Sequence, residues 1–110
     1  MYGGIVSNTA AANTIVDFSV RGEPGLRTRL CNVVASYSAV PAGGSLVAKG
    51  LRSDRVYQFD IVLAGPTFIP SDEYGLGFDV GEDVEITLAA GGAAVVGKVS
   101  LVVWRSADVT

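Results

Sequence analysis

The fold class is decided by residues 55–63, RVYQFDIVL, in which large apolar side chains alternate with polar or smaller ones. Successive side chains of a β-strand point to opposite faces, so every second residue shares a face. One face of this segment carries Tyr57, Phe59, Ile61 and Leu63. The alternation therefore predicts a β-strand that directs these side chains into a hydrophobic core.

Similar short segments occur along the rest of the chain, separated by turns rich in Gly, Pro and Asp. They predict strands at residues 14–20, 26–37, 45–51, 75–80, 83–89 and 94–105, with a short extra strand at 66–69. No segment keeps a helical period long enough to predict a helix. We therefore predict an all-β fold, an antiparallel β-sandwich of about seven or eight strands that is jelly-roll-like, with an immunoglobulin-like sandwich as the alternative. The predicted core contains Phe18, Leu30, Tyr57, Phe59, Ile61, Leu63, Val84, Ile86, Leu88 and Leu101.

The sequence predicts a single sandwich domain over residues 14–110, preceded by an N-terminal arm over residues 1–13. The arm carries no charge. Chain ends are often disordered, but disordered tails are usually charged or rich in proline. We therefore predict that the arm becomes ordered against a neighbouring subunit, through Tyr2, Ile5 and Val6. Because no strand is expected before residue 14, deleting residues 2–12 should leave the sandwich folded.

The composition predicts a large contact with other protein chains. Apolar residues make up 49% of the chain and charged residues only 17%, against about 25% charged in ordinary domains. The last predicted strand is apolar on both faces, since Val96, Val102 and Trp104 lie opposite its core-facing residues. One face of each sheet in an antiparallel sandwich normally meets water, so these three residues predict an interface. The alternative is a central strand with scattered exposed valines.

Several kinds of chemistry are missing from the sequence. The chain has no histidine, which excludes Ser-His-Asp and Cys-His catalysis and imidazole metal ligation. Cys31, the single cysteine, cannot form an intramolecular disulfide and lies in an apolar segment typical of an unreactive thiol. We expect no enzymatic activity, no catalytic residue, no cofactor and no metal. The acidic turn residues are predicted to be solvated, with calcium binding as the alternative, and are Asp72, Glu73, Asp79, Glu82 and Asp83.

Charge and hydropathy restrict the partners. The net charge is −3 and there is no basic stripe, so we expect neither nucleic-acid binding nor a polybasic membrane anchor. The start of the chain does not resemble a signal peptide. No uncharged apolar stretch is long enough for a transmembrane helix, because Lys98 interrupts the most apolar region. We therefore expect no membrane partner.

Three segments together resemble a known class of protein. They are the turn VPAGGSL at 40–46, the strand YQFDI at 57–61, and the run EITLAAGGAAVVGK at 85–98, which leads into a closing strand ending in Val103 and Trp104. The combination resembles the small β-sandwich virion proteins of tailed bacteriophages and is most similar to capsid decoration, or cement, proteins. The likeness covers most of the chain from about residue 26.

The resemblance implies a structural function. It implies a homo-oligomer, with a trimer favoured, that binds the major capsid protein and stabilises a phage head by packing between coat subunits. Its location would be the capsid surface of the virion, after assembly in the host cytoplasm. The alternative is a carbohydrate- or receptor-binding module of a virion tail or fibre, which would need exposed aromatic side chains. A small glycan-cleaving enzyme is the third class, and it would need convergent carboxylates in a pocket.

Overall fold

The computed structural model describes residues 2–69 and 75–107, with side chains for 6–69 and 75–106. Within these residues the chain forms strands and turns and no helix. The strands are β1 (Tyr2–Thr9), β2 (Val16–Val20), β3 (Leu26–Tyr37), β4 (Gly44–Gly50), β5 (Val56–Ile61), β6 (Gly65–Phe68), β7 (Leu76–Val80), β8 (Val84–Leu88) and β9 (Gly97–Ala107).

The strands form two antiparallel sheets packed face to face. The five-stranded sheet has the order β1-β9-β3-β6, with β7 beside β3 on the same side as β6. The four-stranded sheet has the order β2-β8-β4-β5. The all-β antiparallel sandwich predicted from the sequence is confirmed.

The strand order is that of a jelly roll. The first strand pairs with the last, β2 pairs with β8, β3 pairs with β6 and β7, and β4 pairs with β5. The chain is thus a set of nested antiparallel pairs around the β4–β5 hairpin. Going outward from this hairpin, successive pairs lie alternately in the four-stranded and the five-stranded sheet. In an immunoglobulin sandwich the first two strands share a sheet, whereas here β1 and β2 lie in different sheets.

The N-terminal segment contains a strand that the sequence pattern did not predict. β1 pairs with β9 in continuous register, from Tyr2 opposite Arg105 to Thr9 opposite Lys98. The expectation of no strand before residue 14 is therefore wrong, and removing residues 2–12 would remove an edge strand of the five-stranded sheet. The short extra strand predicted at 66–69 is present as β6, and with β1 the described total is nine rather than seven or eight.

The core lies between the two sheets and is close to the predicted one. Most predicted core residues are buried or pack half-buried against the buried cluster. Leu63 is the exception, with 63% of its surface exposed, because β5 ends at Ile61 and the alternation does not continue to residue 63. Among the described side chains, the fully buried aromatic ones are instead Tyr37 and Phe78.

The core contains one buried hydroxyl group whose removal should stabilise the fold. Thr28 is fully buried, and its Oγ1 has no hydrogen-bond partner among the described residues. An unpaired buried hydroxyl costs about 1–3 kcal/mol. Thr28→Val replaces it with a methyl group of similar size, so we expect the free energy of unfolding to rise by about 1 kcal/mol in urea denaturation. The control is Thr87→Val, because Thr87 Oγ1 bonds Asp17 Oδ1 at 3.2 Å near the surface. Equal effects of the two substitutions would contradict the explanation.

Candidate interaction surface

The outer face of the five-stranded sheet carries a contiguous group of apolar side chains, which we call the apolar face. It consists of Cys31, Val34, Phe68, Val102 and Trp104. The strand register brings these residues together, since Cys31 lies opposite Val102 and Val34 lies opposite Phe68. Phe68 is 75% exposed and Trp104 is 39% exposed. Contiguous exposed apolar groups on a small domain commonly mark a binding surface.

A β-bulge in β3 produces part of this face. The register between β3 and β9 shifts between Cys31 and Val34, and Asn32 within the bulge has φ = 50°. The extra residue allows Val33 to be buried in the core while Cys31 and Val34 on either side remain half-buried on the opposite face. The segment 30–35, which is apolar on both faces in sequence, therefore serves both the core and the apolar face.

A depression of about 330 Å³ lies at one end of the apolar face. It is lined by Val34, Ser36, Pro66, Phe68, Lys98 and Ser100. Its floor and walls combine an exposed aromatic ring with two hydroxyl groups and one ammonium group. Its volume is at the lower end of the range that small-molecule sites occupy, about 300–1,000 Å³.

The outer face of the four-stranded sheet is different in chemistry. Its outward residues, by alternation with the buried ones, are Asp17, Ser19, Ser45, Val47, Lys49, Val56, Gln58, Asp60, Glu85 and Thr87. Most are polar, and both signs of charge are present, as Lys49 lies opposite Glu85. This face has the composition expected of a sheet surface in contact with water. The outer face of the five-stranded sheet also carries polar residues, among them Arg29, Ser36, Lys98 and Ser100, and differs from the polar face in having the apolar face at its centre.

The structure brings together two of the residues that the sequence predicts for an interface. Val102 and Trp104 are both outward residues of β9, in the centre of the apolar face. Val96 lies just before β9, where its N–H and C=O bond Ser38 at 2.9 Å each. Contact of these residues with another chain stays a prediction.

The predicted contact residues of the arm lie in β1. Val6 is half-buried and packs against the core, opposite Leu101. The backbones of Tyr2 and Ile5 pair with Arg105 and Val102, and their side chains lie outside the described ones. Phe68 is the functional candidate that the sequence pattern missed, because only the register of β6 against β3 brings it next to Val34.

Glu82 lies in a polar cluster that forms where the β4–β5 turn meets the β7–β8 turn. The Glu82 residue is 2% exposed. Its Oε1 accepts from the backbone N–H groups of Arg52 and Ser53 at 3.1 and 3.0 Å, and its Oε2 accepts from Asp79 N at 2.6 Å and Ser53 Oγ at 2.9 Å. The prediction of a solvated turn acid is wrong for Glu82, which instead fastens the β4–β5 turn to the β7–β8 turn. We call this arrangement the Glu82 clasp.

The clasp determines the charge state of Glu82. Burial alone raises the pKa of the carboxyl group, but the hydrogen bonds from Ser53, Asp79 and Arg52 outweigh it and lower the pKa from 4.5 to about 2. Gly50 leaves the necessary space, since a Cβ at that position would overlap the carboxylate. Donors already occupy both carboxylate oxygens, so the cluster is structural in character.

The other acidic turn residues are distributed differently. Asp83 is exposed and accepts from Gly22 N at 2.7 Å. Asp79 Oδ1 lies 3.8 Å from Arg55 Nη2, and Asp72 and Glu73 lie outside the described residues. Within residues 2–69 and 75–107, no group of three or more His, Cys, Asp or Glu side chains could hold a metal ion.

No helix suited in length and hydropathy to crossing a membrane occurs in the part of the chain that the structure describes. Comparisons with protein families, with curated proteins and with solved structures find no match to this chain.

Proposed function

We propose that the chain is a structural virion protein, a capsid decoration protein that oligomerises and stabilises a phage head by packing between coat subunits. The observation that carries the proposal is the asymmetry of the sandwich. One outer face is mostly polar, and the other presents Trp104, Val102 and Phe68 alongside polar residues such as Arg29 and Lys98. A permanent protein contact resembles a core more than a surface, and the apolar face has that composition.

The fold and the sequence resemblance support the same proposal. Double-sheet jelly rolls are common among viral capsid proteins, although lectins and cupins also use them. Fold alone does not assign a function. The likeness of the 40–46, 57–61 and 85–98 segments to phage decoration proteins adds the specific class. The resemblance also implies a trimer and the major capsid protein as the partner.

The mechanism would be thermodynamic. A protein that binds the assembled shell and not its separate subunits stabilises the shell by mass action, in proportion to RT ln(1 + [L]/Kd). Many identical contacts on a lattice increase this effect through multivalency. The apolar face would lie against the coat subunits, and the polar face of the four-stranded sheet would remain in water.

The test compares two matched valines. Val102 and Val47 are both half-buried, and each projects from the outer side of a strand with a neighbour on either side. We expect Val102→Lys to weaken co-sedimentation with phage shells by more than about tenfold, because the ammonium group must lose its water in the contact. Val47→Lys should change binding by less than about twofold, since its ammonium group stays solvated.

The control for folding is the thermal melt of both variants, which should stay close to that of the unmodified chain. Undiminished shell binding by Val102→Lys would contradict the proposed docking face.

The depression beside Phe68 favours a second candidate, a carbohydrate- or receptor-binding module, because it combines an aromatic ring with the hydroxyls of Ser36 and Ser100. Specific signals on a glycan array, with no shell binding, would favour that module.

A further inference from the structure

The outer edge of β1 has a defined hydrogen-bonding pattern. Ala10 N donates to the carbonyl of Gly97 at 3.2 Å, directly beyond the last paired residues of β1 and β9. In an antiparallel pair, opposed residues alternate between those that exchange both hydrogen bonds and those that exchange none. Counting back from Ala10, the even-numbered residues of β1 bond to β9. The residues that direct N–H and C=O groups away from β9 are Gly3, Ile5, Ser7 and Thr9.

This edge lacks the features that usually prevent strand addition. Natural edges are protected by charged side chains, proline, bulges or short length. β1 is eight residues long, YGGIVSNT, with neither charge nor proline. Its pairing with β9 runs without a register shift. β1 therefore presents a straight row of donors and acceptors that another strand could complete.

The other sheet edges carry such protection. β2 is five residues long and contains the exposed Asp17, and β5 carries the exposed Asp60. β6 has four residues and includes Pro66. In β7 the Gly77 carbonyl already accepts a hydrogen bond from Tyr57 Oη at 3.0 Å. Of the described edge strands, β1 alone is both long and unprotected.

We propose that a second copy of this chain binds along this edge, so that β1 of one protomer pairs antiparallel with β1 of its partner about a two-fold axis. Self-pairing brings no charged side chains together, because none of the residues of β1 is charged. One open edge per protomer gives a closed pair, whereas two different open edges would give a filament. The inference is independent of the proposed function.

The symmetry also determines how the two apolar faces are arranged. Only a two-fold axis perpendicular to the sheet reverses the strand direction while both strands stay in one sheet. The two five-stranded sheets then become one continuous sheet, with both copies of Val102 and Trp104 on the same side. The dimer thus presents both apolar faces on one side of the joined sheet, separated by the two β1 strands, and it differs from the trimer that the resemblance implies.

Hydrogen exchange on the unmodified chain tests the pairing at residue level. In the dimer the amides of Ile5, Ser7 and Thr9 should become protected as protein concentration rises. The amides of Val6 and Asn8 already bond to β9, so they should be protected at every concentration. Sedimentation should give twice the 11.3 kDa chain mass. A monomer or a trimer at high concentration, or protection that does not alternate, would overturn the proposal.

A substitution at Ser7 provides the second test. Ser7→Pro removes an outward N–H and leaves the hydrogen bonds to β9 in place, since proline is accepted where an edge N–H faces outward. We expect the dimer dissociation constant to rise by more than about tenfold. Ser7→Thr is the matched control and should dimerise like the unmodified chain. Equal dissociation constants for the two variants would exclude β1 as the interface.

Discussion

Glu82→Ala should lower the free energy of unfolding at pH 7 by about 3–5 kcal/mol. The substitution leaves three backbone N–H groups, those of Arg52, Ser53 and Asp79, without their acceptor in a partly buried site. Each unsatisfied buried donor costs about 1–3 kcal/mol, and part of this cost is recovered as water enters. Urea denaturation monitored by Trp104 fluorescence measures the change. Glu85→Ala, on the polar outer face, is the control and should change stability by less than about 0.5 kcal/mol.

The stabilisation from Glu82 should depend on pH in a definite direction. Its folded-state pKa of about 2 lies below the ordinary value of 4.5, so the folded state binds the proton less readily than the unfolded state. The contribution is therefore fully present above about pH 5 and disappears as the pH falls towards 2. The neutral variant Glu82→Gln lacks this dependence. The stability difference between the unmodified chain and Glu82→Gln should thus shrink by about 3 kcal/mol between pH 7 and pH 2. A constant difference would contradict the depressed pKa.

Phe78→Ala should destabilise the protein by about 3–5 kcal/mol, the usual effect of truncating a buried aromatic ring. The Phe78 side chain is fully buried, and its ring meets that of Tyr57 edge to face with centroids 5.4 Å apart and an interplanar angle of 80°. The ring bridges the two sheets, because Phe78 lies in β7 and Tyr57 lies in β5. Thermal and urea unfolding should both report the loss.

The comparison for Phe78 is Phe59→Ala. Phe59 also faces the core, but it is only half-buried. Truncating Phe59 removes less buried apolar surface than truncating Phe78. The decrease in the free energy of unfolding should therefore be clearly smaller for Phe59→Ala than for Phe78→Ala. Equal losses would show that the exposed part of Phe59 is covered in solution, which is the expected result if a partner packs against that end of β5.

The strands that the sequence predicted correctly are those with one face in the core. β3 matches its predicted range of 26–37, and β5 and β8 lie within theirs, because alternation directly reports a half-buried strand. β1 has no such alternation, since its small residues need β9 beside them to specify a register. β1 is a strand because it pairs with β9 in the folded protein, and not because of a pattern in its own sequence.

The residues of the candidate sites also differ in whether the sequence could predict them. Val102 and Trp104 were predictable because they alternate with core residues of their own strand. Phe68 was not, because its neighbours on the apolar face come from β3, more than thirty residues away in sequence. Glu82 was not predictable either, since two of its donors, Arg52 and Ser53, belong to a distant turn. Non-local register and turn-to-turn contacts carry no signal in a single sequence.

The nested pairing has a consequence for how the chain is made. A ribosome releases β1 first, yet its partner β9 is the last strand to emerge. The β4–β5 hairpin can form while the chain is still growing. The later strands then pair progressively further from this hairpin, β6 and β7 with β3, β8 with β2 and β9 with β1. β1 must wait, unpaired, until β9 has been synthesised and has left the ribosome. Folding of this domain is therefore expected to end with a slow step set by the contact of greatest sequence separation, that between β1 and β9.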